Sequence, residues 1–297
     1  MPIPLSLTMD RRCLLLSLLA GAHVARAADA VIGYPSYADS DAQDPIHQFH
    51  LAVLRLALER SGGHYRLQPV RKPVGQGRAI RELAGGGSDL DLLWSMTSEE
   101  REQLLLPVRI PIDRGLMGWR LLLIRRSDAE RFAAIRNLET LRDLTAGQLH
   151  DWPDTAILRA NGMAVGTTSV YGSLFTMLSR GRVDYFPRSV LEIQDEMQQF
   201  GSAHELMIAP GLMLRYPTAN YFFVNRQNQA LAADLQRGLD RLLDEGTLHG
   251  LFMSHFRARL KPLRLAERRE LNLRNPLLPS ATPLQRAELW ADPAQFS

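Results

Sequence analysis

Short apolar runs alternate along this chain with amphipathic stretches, and that alternation constrains the fold more than any other feature. Val31 and Ile32 begin a strand that runs into the turn-rich Gly33, Tyr34, Pro35, Ser36 and Tyr37. Asp44 and Pro45 supply an N-cap and a proline for the first helical position. Ile46, Phe49, Val53 and Leu56 then recur at helical spacing, and Ser61, Gly62 and Gly63 stop the helix. Residues 65–70 predict a second strand, 78–83 a short helix, 90–94 a third strand and 116–124 another apolar run. A second series starts near Arg125. Its pieces are a helix through Ala160 closed by Asn161 and Gly162, a strand at 163–166, and a helix with the stripe Tyr171, Leu174, Phe175 and Leu178. Strands at 183–186, 206–214 and 221–224 follow, then a long helix carrying Leu231, Leu235, Leu239 and Leu242 on one face up to Gly246. The alternation defines an α/β protein.

The first 27 residues follow a different pattern. Arg11 and Arg12 precede an apolar run from Cys13 to Ala20, and Ala25, Arg26 and Ala27 complete a signal-peptide pattern with cleavage before Ala28. The run is too short to span a bilayer, which takes roughly 20 apolar residues, and no later stretch is apolar and long enough to do so. Cys13 is the chain's one cysteine, so a processed protein has no disulfide and no thiol nucleophile. The net charge of +3 balances 35 basic against 32 acidic residues and gives no basic excess for nucleic acid.

Sequence motifs for catalysis are weak. Gly75 and Gly77 lack the third glycine of a dinucleotide loop, no phosphate-loop lysine follows a glycine run, and no nucleophile elbow is present. His47 and His50, one turn apart, either share a metal or are two polar positions on a helix face. His150, Asp151 and Asp154 form a second cluster, which a helix cap ahead of Pro153 explains equally well. Three segments share the geometry of a strand end turning into a helix start, where helix N–H groups face a ligand crevice. They are residues 94–101, 151–155 and 185–189. Thr97 with Glu100, and Ser189 with Glu192, have capping-box spacing. Arg101 and Arg188 are the cations placed beside these starts, each with a surface ion pair as the alternative reading.

In this order of elements the chain resembles the type 2 periplasmic solute-binding proteins, in particular family 3, the polar amino-acid-binding-like ABC transporter substrate-binding proteins. Residues 92–112 are similar to that family's strand, Ser/Thr turn and Thr-x-x-Arg segment, with Ser98 and Arg101 at its last motif. Gly181, Arg182, Val183 and Asp184 resemble its Leu-x-x-Gly-Arg-x-Asp motif after Leu178, and residues 221–246 its return strand and closing helix. The resemblance spans about residues 31–256. It departs from the family where an ammonium-binding aspartate would fall, near Arg188 or Ser189, and where Trp94 begins the binding turn.

The resemblance implies a two-lobed type 2 periplasmic-binding fold with two crossover hinge strands. Lobe one would comprise residues 28–124 and 220–256, lobe two 125–219, and an extended tail 257–297. It implies capture by hinge closure rather than catalysis, no metal or other cofactor, and a monomer that meets a separate membrane permease or sensor. The ligand-binding set is Tyr34, Tyr37, Trp94, Ser95, Thr97, Arg101, Asp154, Thr155 and Arg188. With Arg101 and Arg188 facing each other and no aspartate at the amine position, the ligand is expected to be a small anion.

Overall fold

The computed structural model describes residues 30–36, 44–71 and 76–297. The signal segment, Cys13 and Tyr37 lie outside the described residues. Lobe one opens with β1 (Ala30–Ser36), α1 (Pro45–Ser61) and β2 (Tyr65–Arg71), a parallel pair with its helical crossover. Asp44 caps α1 by accepting the Ile46 N–H at 2.9 Å, and Gly62 ends it in the left-handed region at φ 86°. Residues 33–36, expected to turn, prolong β1 because each finds a partner on β2, from Gly33 opposite Gln68 to Ser36 opposite Arg71. Next come α2 (Gln76–Gly85), β3 (Leu92–Met96), α3 (Glu99–Leu104) and β4 (Leu105–Val108). Two hydrogen bonds tie β1 to the head of β3: Gly33 N–H to the Asp91 carboxylate at 2.8 Å, and Asp91 N–H to the Gly33 carbonyl at 2.9 Å.

Lobe two holds β5 (Trp119–Arg125), α4 (Ala129–Ala133), α5 (Leu138–Arg142), β6 (Thr145–Leu149), α6 (Pro153–Ala160), β7 (Ala164–Thr168) and α7 (Tyr171–Ser179). It continues through β8 (Tyr185–Ser189), α8 (Ile193–Glu196), β9 (Leu206–Ile208) and β10 (Leu212–Arg215). Leu121, Leu122, Leu123 and Ile124 are fully buried on both faces of β5, as a central strand requires. That strand pairs with β8, β9 and β10. The lobe boundary therefore falls before Trp119 rather than after Ile124: an apolar run marks a buried strand without saying which sheet receives it.

The chain returns through β11 (Asn220–Asn225), inserted antiparallel between β3 and β4, to α9 (Gln229–Asp244) and α10 (Thr247–Leu260). The two crossing segments, 109–118 and 216–219, run side by side. Tyr216 N–H donates to the Gly118 carbonyl at 3.1 Å and Ile112 N–H to the Asn220 carbonyl at 3.0 Å. They approach so closely that a Cβ on Gly118 would stand 2.1 Å from the Tyr216 oxygen. Only glycine fits there.

The C-terminal segment crosses between the lobes again. After α10, which the sequence reading did not foresee, β12 (Arg269–Asn272) adds to the edge of β10 as the outer strand of the seven-stranded sheet. Asn161 in lobe two then holds the Arg274 backbone, and the Asn275 amide donates to the Pro217 carbonyl at 2.9 Å. Glu99 N–H, at the start of α3 in lobe one, donates to the Leu277 carbonyl at 3.1 Å. Further on, Arg114 donates to the Trp290 carbonyl at 3.1 Å, and Ala291 N–H to the Arg114 carbonyl at 3.0 Å. One apolar core runs from α1 and α9 through Trp119, Phe252, Phe256 and Phe296 to Phe175 and Phe186 in lobe two.

Candidate functional site

The strand ends face one another across a cleft with two compartments. The inner one is a cavity of about 350 Å³. Lobe one contributes His47 and His50 from α1, Trp94, Ser95 and Met96 from β3, and Asn220 from β11. Arg120, Trp152, Pro153, Asp154, Arg188 and Glu192 line it from lobe two, with Met117 at the first crossing. The outer compartment, about 780 Å³, shares Trp152 and Pro153 and adds residues 98–101, His150, Asp151, Thr155 and Pro276 with Leu277 of the tail.

Lobe one presents mainly aromatic surface. The Trp94 ring stacks on Tyr34 at 6.3 Å between centroids and meets His47 edge-on at 5.1 Å and His50 at 5.6 Å. His50 is buried, with Nε2 3.3 Å from the Asn220 amide nitrogen. Burial, aided by His47, pushes its pKa down to about 3, so the imidazole stays neutral. Among the described residues, no three His, Cys, Asp or Glu side chains are grouped to hold a metal.

Lobe two presents a charge network. Arg120, fully buried on β5, holds the Tyr216 hydroxyl at 2.8 Å with Nε and the Asp154 carboxylate at 2.7 Å with Nη2. Tyr216 also donates to Asp154. On β8, Arg188 donates from Nε to both Glu196 oxygens, at 2.7 and 2.9 Å, and its Nη2 lies 2.6 Å from Glu196. Tyr171 donates to the same carboxylate at 2.5 Å. The Arg188 guanidinium lies 4.6 Å from the centroid of the Trp152 ring, which shields it from water. Glu192 joins the two systems, with one oxygen 3.5 Å from Arg120 Nη1 and 3.0 Å from Arg188 Nη2. Burial disfavours both cations, yet the surrounding carboxylates more than offset it and raise the Arg120 and Arg188 pKa values.

The structure brings Trp94, Ser95, Asp154 and Arg188 to the inner compartment and Arg101 and Thr155 to the outer one; Tyr34 backs Trp94. Three expectations change. Thr97 is buried outside both compartments with its hydroxyl on Glu102 at 2.7 Å, and the cap of α3 is Ser98, which accepts the Arg101 N–H at 3.2 Å. The capping register lies one residue later: the Thr97 hydroxyl goes to Glu102, and the Ser98 hydroxyl takes the helix N–H. Thr155 uses its hydroxyl on the Leu149 carbonyl at 2.8 Å, and Asp154 serves Arg120 instead of capping α6. Arg101 and Arg188 do not form the facing pair. Arg101 reaches Ser95, the Met96 carbonyl at 2.7 Å and Gln76 at 2.9 Å, while Arg188 is matched by Glu196 and Glu192. Sequence reading missed Arg120 and Glu196. An arginine inside an otherwise apolar strand was the available signal, because a central strand seats a cation only beside buried carboxylates.

Two α/β lobes joined by paired crossings, with a cleft at the carboxyl ends of their strands, define the type 2 periplasmic-binding fold. The solved structures agree. An ancestral arginine-binding protein bound to arginine superposes with a TM-score of 0.54 at 16% identity, over 77% of this chain and 98% of that one. The arginine-, lysine-, histidine-binding protein ArtJ from Geobacillus stearothermophilus gives 0.52 at 14% identity, over 77% and 95%. A double mutant of the BvgS VFT2 domain from Bordetella pertussis gives 0.55 at 17% identity, over 76% and 92%. At such identities the likeness establishes the fold, which is the one implied by the resemblance to family 3. No protein-family profile matches the chain, and no curated protein matches it in sequence.

Proposed function

We propose that this chain is a periplasmic solute-binding protein that captures a small ligand with at least one acidic group between its lobes and presents the closed form to a separate membrane permease. The observation that carries the reading is the inner cavity, whose walls come from both lobes, so that one ligand can touch both at once. Such a ligand favours the closed arrangement by its differential contacts with it. The acidic group is supported by the arginines placed around the cleft: Arg101 at the outer compartment, and Arg120 and Arg188 at the inner one. Residues 1–27 serve as the export signal, the ligand leaves unchanged, and no cofactor takes part.

A second reading, the ligand-sensing partner of a membrane receptor, is favoured by the tail. Its contacts with both lobes suit a protein that signals by holding one shape. A thermal-shift screen of residues 28–297 against amino acids, carboxylates, phosphates and small peptides tests capture itself. A ligand at a hundred times its Kd adds about 2.7 kcal/mol, which raises Tm by roughly 5–10 °C for a chain of this size. Recovery of the ligand unaltered supports binding; its conversion establishes an enzyme, and a flat response across the panel rejects the proposal.

A further inference from the structure

Glu192 differs from the other carboxylates of the cleft network. Glu196 accepts two hydrogen bonds from Arg188 Nε and one from Tyr171, and Asp154 accepts one from Tyr216. Glu192 lies at ion-pair distance from two guanidiniums but accepts a hydrogen bond from neither; its one hydrogen bond comes from the Ser189 N–H at 3.3 Å. Its side chain is 23% exposed, against 7% for Glu196 and 6% for Asp154, and it lines the inner cavity beside both arginines. Arg120 and Arg188 are themselves 2% and 3% exposed and line the same cavity, so a ligand there meets their guanidiniums beside Glu192.

We propose that Arg120 and Arg188 form a two-guanidinium subsite for the carboxylate of a small organic acid, and that Glu192 is a tethered occupant which the ligand displaces. The inference deepens the solute-binding reading and rests on it. Two adjacent buried guanidiniums repel unless an anion lies between them, and each can bind a carboxylate by charge-assisted hydrogen bonds that Glu192 does not make. Glu192 has its charged form disfavoured by burial, which raises its pKa, with attraction from Arg188 opposed, repulsion from Glu196 added, and smaller effects of Arg120 and Asp154 in the same two senses. Its release lets the side chain take up a proton or swing into the open cavity, while Glu196 and Asp154 keep each arginine in place.

A tethered competitor lowers the apparent affinity by the fraction of molecules in which the subsite stays free. The test titrates wild type, Glu192→Gln and Glu192→Ala with succinate and with its neutral diamide, by calorimetry, after thermal melts show all three folded. Succinate should bind both variants about tenfold tighter than wild type, the diamide should not gain, and Arg120→Met in the Glu192→Gln background should abolish the gain. Unchanged affinity, or no succinate binding in any variant, overturns the subsite. Weaker succinate binding in Glu192→Gln shows that Glu192 supports the anion site instead of occupying it, and overturns the displacement. The solute-binding reading is scored separately on wild type: a ligand found in the screen that binds Glu192→Gln equally well preserves capture and removes only this inference.

Discussion

Asp113 and His50 bury opposite kinds of titratable group, and their effects on stability oppose each other. The Asp113 carboxylate, in the first crossing segment, accepts the Gly115 and Met117 N–H groups at 3.1 and 3.2 Å. Burial outweighs those bonds and raises its pKa from 3.8 to about 6. The folded state therefore holds this proton more tightly than the unfolded one, and stability falls as pH rises from about 4 to 6, by about 3 kcal/mol in all. His50 falls from 6.5 to about 3, so its contribution is complete above 6.5 and is lost as pH falls towards 3. Over the shared window the two slopes, each about 1.4 kcal/mol per pH unit, largely cancel. Denaturant unfolding at several pH values should show Asp113→Asn losing stability on acidification between about pH 6 and 4, and His50→Gln gaining it. Parallel profiles for the two variants would dismiss both assignments. Neither group was legible beforehand: His47 and His50 look alike in sequence and both are buried, and only the packing of α1 against Trp94 and Asn220 makes His50 the deeper of the two.

Elements were read best where the signal is local. Asp44-Pro45 fixed the start of α1, Gly62 and Gly246 closed helices in the left-handed region, and the leucines of α9 faced the core. Errors arose where pairing decides. Residues 33–36 joined a strand because β2 lies beside them, and β5 went to lobe two because β8 and β10 do. Strand β7 runs two residues past the expected end at Gly166, because Thr167 and Thr168 pair with Gln148 and Leu149. The cleft followed the same division: strand ends located it and Arg188 with Glu192 keeps an i,i+4 spacing, but Arg120 draws Asp154 and Tyr216 from segments distant in sequence. Packing between α1 and α9 offers a test at this scale. A Cβ on Gly238 would stand 1.8 Å from the Ala57 oxygen and 2.6 Å from its carbonyl carbon, both backbone atoms that cannot turn aside. Gly238→Ala gains about 1 kcal/mol of helix propensity but must separate the helices, at about 1–3 kcal/mol or more. The net effect should be a lower denaturation midpoint; a variant as stable as wild type would show that the helices have slack.

At the scale of the molecule, the tail ties the two lobes to each other. It is anchored to lobe two by β12, to the crossing by Asn275 on Pro217, and to lobe one where the Leu277 carbonyl takes the Glu99 N–H. Leu277 also lines the outer compartment, so this latch spans the cleft on one side. An N–H in the first turn of a helix has no partner of its own helix, so protection of the Glu99 amide reports the latch directly. Hydrogen exchange should find it protected in wild type and about tenfold faster in Asn275→Ala, which frees the Leu277 N–H and the Pro217 carbonyl together. Glu99 exchanging at the rate of an open helix end in wild type would mean that the latch is undone in solution.

The returning tail also bears on heredity. Lobe one is assembled from residues before β5 and after β10, while lobe two borrows β12 from beyond α10. No single cut in the coding sequence separates the lobes, and an exchange that replaced β5 through β10 as a cassette would leave the new β10 facing a β12 selected for another edge. Recombination can therefore trade neither lobe alone, and Arg101 on one side of the cleft must be inherited together with Arg120, Arg188 and Glu192 on the other.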